Sequence, residues 1–187
     1  MKHSLVRENI IKTASNLFYQ KGYNLTGINE IISESGIAKA TLYNHFKSKE
    51  DICVAYLDYL NTPFLKNIEA FALSKSKGKK QIVALFDFLE KFFLSDNFNG
   101  CWCLNTISEI PNQNIKIRNE IQKGKTEFLN LIGRLIEINF QNKTKDEVTV
   151  LAKQVYMIYE SAISESHLHQ KKWPIKTAKE IIEKIII

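Results

Sequence analysis

Apolar residues recur along the chain at intervals of three and four positions, which is the spacing of one face of an α-helix. Only 3 prolines and 7 glycines interrupt the 187 residues, and no alternating run longer than a few residues suggests a strand. The pattern therefore predicts an all-α protein of about nine helices. We place them at residues 3–21, 27–34, 38–44, 49–72, 79–95, 103–110, 113–141, 146–171 and from 174 onward.

The second and third predicted helices are short and are separated by Gly36, a residue suited to a left-handed turn. Isolated helices below about 12 residues are marginal in water, so the third helix must be held by its neighbours. Its apolar positions Ile37, Leu42 and Phe46 are predicted to do this. Two short helices joined through a glycine turn form a helix-turn-helix, whose second helix enters the major groove of DNA.

The outward positions of the third helix carry small or hydrogen-bonding side chains, which suit base edges and phosphate oxygens. They are Lys39, Ala40, Thr41, Tyr43, Asn44 and His45. Ser48 is followed three residues later by an acid, a capping box that opens the long fourth helix. We therefore predict a DNA-binding domain at residues 1–47 and a second helical domain at 48–187.

The segment LTGINEIISESGIAKATLYNHFKSKEDI (25–52) resembles the DNA-binding signature of the TetR family of bacterial transcriptional repressors. The likeness covers about residues 5–57 in one unbroken register. It implies a three-helix DNA-binding domain followed by a larger effector-binding and dimerisation domain. By resemblance, Lys39 reads a base, and Ala40 and Thr41 lie against the groove wall. The other DNA-binding positions that it implies are Tyr43, His45 and Lys49 on phosphates, Asn44 beside them, and Asn29 and Thr26 from the second helix and its predicted N-cap.

Ala38 departs from the family pattern, which usually has Ser or Thr capping the recognition helix. Loss of such a cap costs about 1 kcal/mol. The sequence therefore predicts a recognition helix that is less stable before it meets DNA.

The segment NGCWCLNTISEI (99–110) shares a shorter likeness with one TetR subgroup at the start of the sixth helix, which relays ligand occupancy in the family. Small-ligand pockets are usually lined by apolar and aromatic side chains. The candidate effector-binding residues are accordingly Trp102, Cys103, Asn105, Thr106, Phe86, Phe128, Tyr156 and Tyr159. Packing in the core is the alternative role for the tryptophan, the cysteines and most of the aromatic residues.

The last two helices are more apolar than one buried face needs, which suggests a partner surface. In the family these helices form a four-helix bundle between two subunits, and a two-fold dimer implies a palindromic operator. The candidate interface residues are Val155, Ala162, Ile163, Ile181, Ile182 and Ile185.

A net charge of +6 favours an acidic partner, and residues 1–50 contribute half of it, with 7 Lys and Arg against 4 Asp and Glu. No signal peptide or membrane-spanning run is evident, so we expect a cytoplasmic location without membrane association. The three cysteines are then expected to be thiols. No metal or cofactor site is predicted, because the spacing of Glu165, His167 and His169 is common by chance.

These observations predict a ligand-responsive transcriptional regulator, a repressor by analogy, that binds a palindromic operator as a homodimer and is released by a small-molecule effector. One alternative is a thiol-based sensor of oxidants or electrophiles using Cys101 and Cys103. Thiol sensing requires nearby cationic groups, and no Lys or Arg is close to these cysteines in sequence. A small cysteine-dependent enzyme lacks a visible catalytic partner, so we predict that the protein is not an enzyme.

Overall fold

The hydrophobic periodicity corresponds to helices throughout the computed structural model, which describes residues 2–186 and the side chains from Leu5 to Ile186. Within that range there are nine helices and no strand, as predicted. Most predicted ends agree with the observed ones within two residues. The helices are α1 (Lys2–Lys21), α2 (Ile28–Ser35), α3 (Lys39–His45), α4 (Lys49–Leu73), α5 (Lys79–Phe93), α6 (Trp102–Glu109), α7 (Ile115–Asn139), α8 (Lys145–His169) and α9 (Trp173–Ile185).

The glycine turn between α2 and α3 forms as predicted. Gly36 adopts φ 65° and its N–H donates to the carbonyls of Ile32 and Ser33, so the left-handed residue ends α2. Leu42 has no exposed surface and Phe46 is buried, whereas Ile37 is half-buried. The third helix is therefore anchored mainly by the first two of these apolar side chains.

The helix caps follow the sequence in two cases and depart from it in one. Ala38 is the N-cap of α3 and provides no side-chain hydrogen bond, which confirms the predicted missing cap. Ser48 accepts the N–H of Asp51 at 3.2 Å, so the predicted box opens α4. The prediction of Thr26 as N-cap of α2 is wrong: Gly27 holds that position, and the Thr26 hydroxyl donates to the Gly22 carbonyl at 2.8 Å.

The chain packs into two compact units. Unit 1 runs to Pro63 and also contains Trp102–Gly124, which includes α6 and the start of α7. Unit 2 comprises Phe64–Cys101 and the described residues from Lys125 onward. The predicted domain boundary after residue 47 follows the end of the helix-turn-helix, and it stays a prediction beside this division by packing.

The core of unit 2 is built by α5, α8 and α9, which contact one another. Its fully buried side chains include Leu85, Phe86, Val155 and Ile182. A Thr144–Glu147 capping box starts α8, and Pro174 lies in the first turn of α9. No helix in the described part of the chain combines the length and apolar character needed to cross a membrane.

Candidate nucleic-acid interface and effector cluster

The predicted DNA-reading side chains of α3 lie on one outward surface. Lys39, Ala40, Tyr43 and Asn44 are exposed, while Thr41 and His45 are partly exposed. This surface offers an ammonium, an amide and a phenol to solvent within two turns of helix. These groups match the donors and acceptors of base edges and phosphate oxygens.

Two contacts from α1 stabilise the region behind this surface. The Arg7 guanidinium lies 5.0 Å from the ring centre of Phe46, a cation–π contact at the end of α3. The Asn9 amide donates to the Ser35 carbonyl at 2.9 Å and so satisfies the last turn of α2. The recognition helix is thus positioned by its neighbours, as its length requires.

The two DNA-binding candidates outside α3 and α4 differ in accessibility. Asn29 is exposed on α2. Thr26 has no exposed surface, and its hydroxyl is engaged with the Gly22 carbonyl, so the prediction that it contacts DNA is wrong for this structure. The Thr26 hydroxyl finds its acceptor within its own turn, at the Gly22 carbonyl, instead of facing solvent.

Lys49 begins α4 and is directed towards an aromatic ring. Its ammonium lies 4.3 Å from the centre of the Tyr23 ring, and burial lowers the pKa of Lys49, with Cys53 and Glu109 opposing that shift. Burial also raises the pKa of Tyr23 to about 12 and that of the Cys53 thiol to about 12. Lys49 therefore keeps a phosphate-binding role only as a prediction, and Cys53 is an inert buried thiol.

The effector candidates of α6 belong to unit 1. Trp102, Cys103 and Thr106 are buried there, and Asn105 is half-buried. Thr106 hydrogen-bonds the hydroxyl of Tyr56, whose pKa is raised by burial. This contact ties α6 to α4 within the unit that carries the helix-turn-helix.

The four aromatic effector candidates form a cluster within unit 2. The ring centres of Phe128 and Tyr159 are 4.8 Å apart, those of Phe86 and Tyr159 are 5.5 Å apart, and those of Phe128 and Tyr156 are 6.1 Å apart. The Tyr159 hydroxyl is buried and has no hydrogen-bond partner among the described residues, which is costly for a polar group. Burial raises the pKa of this phenol well above its ordinary value.

A charged pair that sequence reasoning missed lies beside this cluster. The ammonium of Lys125 lies 2.6 Å from Oε2 of Glu160, and both side chains are mostly buried. Burial raises the pKa of Glu160, with Lys125 opposing that shift. Lys125 sits four residues after Ile121 and three before Phe128, on the apolar stripe of α7. A lysine in such a stripe was the available signal.

Lys125 also contacts a cysteine that has no cation near it in sequence. Its ammonium lies 3.2 Å from the sulfur of Cys101, which follows Gly100. Gly100 adopts φ 73°, and a Cβ there would lie 2.7 Å from Nδ1 of His167. The glycine therefore allows the imidazole to pack against the backbone next to this thiol, and His167 Nε2 hydrogen-bonds Asn99 at 3.1 Å.

The dimer-interface candidates divide by exposure. Val155, Ala162, Ile163 and Ile182 are buried within the chain's own unit 2, so the prediction that their side chains form a partner surface is wrong. Ile181 and Ile185 are exposed. They share the surface of α8 and α9 with Met157 and Trp173, of which 65% and 49% are exposed. Both helices carry two apolar stripes, and periodicity alone does not say which stripe faces inward.

Metal ligation finds no support in the described residues. Within 2–186 no group of three or more His, Cys, Asp or Glu side chains is placed to hold an ion. His169 and Glu165 lie 3.3 Å apart as a side-chain pair on α8, and His169 also packs on the ring of Trp173.

Comparison with known proteins agrees with the geometry of the helix-turn-helix. Residues 10–56 match the family model for bacterial regulatory proteins of the tetR family. The uncharacterized HTH-type transcriptional regulator YerO of Bacillus subtilis is 42% identical over 87 residues, which span 43% of this chain and 30% of that protein. The HTH-type transcriptional repressor NemR of Escherichia coli is 21% identical over 96% of this chain and 93% of its own length.

Solved structures share the fold over nearly the whole chain. The reduced form of NemR from E. coli has a TM-score of 0.86 at 20% identity and covers 97% of each chain. SCO4454, a TetR-family regulator from Streptomyces coelicolor, has a TM-score of 0.87 at 23% identity and covers 97% of this chain and 88% of its own. Residues 10–56 therefore match the DNA-binding part of the tetR family, and nearly the whole chain shares the fold of solved TetR-family regulators. With the exposed face of α3, these matches identify the protein as a helix-turn-helix transcriptional regulator.

Proposed function

We propose that this regulator is a repressor that binds a palindromic operator as a homodimer and is released by a small-molecule effector. The observation that carries the proposal is the outward surface of α3, where Lys39, Tyr43 and Asn44 are exposed above a buried Leu42. The helix has seven residues, and its apolar side chain faces inward and anchors it. Its polar face is therefore the part that is available to contact DNA.

Selection of bound duplexes from a random DNA library tests the proposal. We expect the protein to enrich two inverted half-sites about one helical turn apart or a multiple of it. A reporter placed behind the enriched site should then fall when the regulator is expressed. Enrichment of no sequence, or of a single half-site without symmetry, would contradict the proposed operator.

The exposed apolar surface on α8 and α9 supports the homodimer. Met157, Trp173, Ile181 and Ile185 expose hydrophobic area on adjacent helices, which is unusual for a surface without a partner. Light scattering on wild type and on Met157→Lys measures the mass directly. We expect a dimer for the wild type and a monomer for the variant, whereas Ile138→Lys, the same kind of change at an exposed apolar residue of α7, should remain dimeric.

The aromatic cluster of unit 2 supports an effector with an apolar body and one hydrogen-bonding group. Phe86 and Phe128 contact the Tyr159 ring, whose buried hydroxyl lacks a partner in the part of the protein that the structure describes. We propose that the effector hydrogen-bonds this hydroxyl and binds more tightly to the conformation that releases DNA, so that it shifts the population towards that conformation. A screen for ligands that raise the melting temperature of wild type but not of Tyr159→Phe tests this site.

A thiol response is a second candidate function, and the contact between Lys125 and Cys101 favours it. A cation that donates to sulfur stabilises negative charge on it and so promotes nucleophilic attack. With iodoacetamide the sulfur forms a C–S bond and iodide leaves. With hydrogen peroxide the thiol becomes a sulfenic acid and the peroxide is reduced to water.

The enriched DNA provides the assay for this second candidate. We expect either reagent to release the wild type and the Cys53→Ser control, because burial raises the pKa of the Cys53 thiol to about 12. Release should be lost in Cys101→Ser. Equal release of Cys101→Ser would overturn the thiol response and leave the small-molecule effector as the remaining route.

A further inference from the structure

Residues 109–116, which run from the last residue of α6 through the connection to the second residue of α7, hold the turn after α1. We call this segment the elbow. Oε2 of Glu109 accepts the backbone N–H of Asn24 at 2.7 Å, and the Asn24 amide donates to the Glu109 carbonyl at 2.7 Å. The second bond satisfies a carbonyl at the C-terminal end of α6, where no helical partner exists.

The backbone of this turn requires glycine, and the Glu109 carboxylate lies directly against it. Gly22 adopts φ 95°, and a Cβ there would lie 2.5 Å from Oε1 of Glu109. A side chain at this position would be strained by the backbone and would collide with the carboxylate. The turn and Glu109 are therefore fitted to each other.

The elbow also holds the start of α4. The Asn114 amide donates to Oε1 of Glu50 at 2.8 Å, and Lys116 forms an ion pair with Asp51. Asn114 at the same time accepts the N–H of Ile117 at 3.2 Å, which fixes its side chain at the beginning of α7. The Asp51 carboxylate is in turn part of the Ser48 box that opens α4.

These contacts lie on either side of the DNA-reading helices in the sequence. One set of contacts is made with residues 22–24, before α2, and the other with residues 50–51, after α3. All of the residues involved belong to unit 1. The elbow thus fixes both ends of the segment that carries the recognition helix.

We propose that Glu109 is a positioning residue for DNA recognition, which holds the turn after α1 so that α3 meets the groove in one orientation. This inference rests on the proposed dimer, because two rigidly held recognition helices accept only one distance between half-sites. Loss of the grip would let each helix adjust, and operators of altered spacing would then be tolerated.

If Glu109 acted on DNA binding through its charge alone, its removal would change DNA affinity in the opposite direction. Burial lowers the pKa of Lys49, a predicted phosphate-binding residue, and Glu109 is among the charges that oppose this shift. If the carboxylate acted only by its charge, removing it would strengthen binding to any DNA and steepen the salt dependence. A positioning role instead weakens binding to the preferred spacing and leaves the salt dependence unchanged.

Two substitutions of the same charge separate these roles. Glu109→Ala and Glu109→Gln both remove the carboxylate, but glutamine keeps a side-chain oxygen that accepts the Asn24 N–H. The probes are the duplex enriched by the wild type and two derivatives with one base pair more or less between the half-sites. We expect the wild type and Glu109→Gln to prefer the enriched spacing by about tenfold or more, and Glu109→Ala to lose most of that preference.

Asn24→Ala serves as a milder variant if Glu109→Ala folds poorly, because it removes only the exposed amide that reaches the Glu109 carbonyl. We expect it to reduce the spacing preference in part, and amide exchange of residues 22–24 to accelerate in both alanine variants. Identical behaviour of Glu109→Ala and Glu109→Gln, or an unchanged spacing preference in both alanine variants, would overturn the inference. If the wild type enriched no DNA, the proposed function would be overturned first and this inference with it.

Discussion

The ammonium nitrogen of Lys125 lies 3.2 Å from the sulfur of Cys101, although 24 residues separate them in the chain. We expect Lys125→Met to slow alkylation of Cys101 by iodoacetamide by about tenfold, because the cation that stabilises the thiolate is removed. Mass spectrometry of the labelled peptide measures the rate. Lys123→Met is the control, since Lys123 is exposed and pairs with Glu120. Equal rates in wild type and Lys125→Met would mean that the ammonium does not activate this thiol.

Removal of the Tyr159 hydroxyl should stabilise the protein in the absence of an effector. None of the described side chains or backbone groups pairs with this buried hydroxyl, so Tyr159→Phe relieves a desolvation cost of about 1 kcal/mol while keeping the ring contacts. Urea unfolding of wild type and variant measures the difference. A less stable variant would show that the hydroxyl has a partner in solution, such as an ordered water.

A cap restored on the recognition helix should also stabilise the protein. Ala38 precedes α3 with extended backbone angles and no side-chain hydrogen bond, so a serine hydroxyl there can accept an N–H of the first turn. We expect Ala38→Ser to increase the free energy of unfolding by about 0.5–1 kcal/mol. Ala40→Ser is the matched control, because Ala40 is the second residue of the same helix and not its N-cap. We expect this variant to be neutral or slightly destabilising. A gain in both variants would point to something other than capping.

The two predicted DNA-contacting lysines should differ in what they control. Lys39→Ala is expected to change the preferred base at one position of each half-site, because that exposed ammonium is placed to reach guanine O6 and N7. Lys49→Ala is expected to weaken binding to all sequences and to reduce the salt slope by about one per subunit. Binding measured across a salt series with the enriched DNA and its single-base variants distinguishes them. If neither substitution alters binding, the assignment of α3 as recognition helix fails.

The ion pair of the elbow should contribute stability that depends on pH. The hydrogen bond from Lys116 is the largest cause that lowers the pKa of Asp51 below its ordinary value of 3.8. A carboxyl whose pKa is lower in the folded state stabilises the protein above the unfolded value, and this contribution is lost as pH falls through the folded value. Lys116→Met should therefore lower the free energy of unfolding near pH 7 by about 0.5 kcal/mol, since the pair is partly exposed.

Unfolding of Lys116→Met and wild type at several pH values checks the sign. The two proteins should converge below the ordinary pKa of Asp51, where the carboxyl is protonated in the unfolded chain and then in the folded one. Lys123→Met again serves as a control for loss of one exposed lysine. A difference that is independent of pH would assign the effect to packing of the lysine stem.

The sequence predicted the helices and the anchoring of α3 because both depend on local patterns. A helix buries every third or fourth residue, and a short helix must direct its few apolar side chains inward. Leu42 and Phe46 follow this rule. Thr26 did not follow its local pattern, because the Gly22 carbonyl was a better partner for its hydroxyl than the first amides of α2.

The parts of the site that sequence did not predict depend on contacts between distant segments. Lys125 meets Cys101 and Glu160, and Glu109 meets Asn24, across 24 to 85 positions. No periodicity encodes such pairs. The interface residues failed for a related reason: α9 is apolar on two faces, and only packing decides that Ile182 is inside and Ile181 outside.

The composition of unit 1 has a consequence for the modularity of this regulator. The compact unit that contains the helix-turn-helix takes in Trp102–Gly124 from much later in the chain. A fragment ending at residue 63 would lose Glu109, Asn114 and Lys116. It would therefore lose every contact described between the elbow and residues 22–24 and 50–51. A chimera made by grafting only the N-terminal third onto a relative would therefore receive the helix-turn-helix without the contacts that hold it. A functional exchange of DNA specificity must transfer the elbow as well.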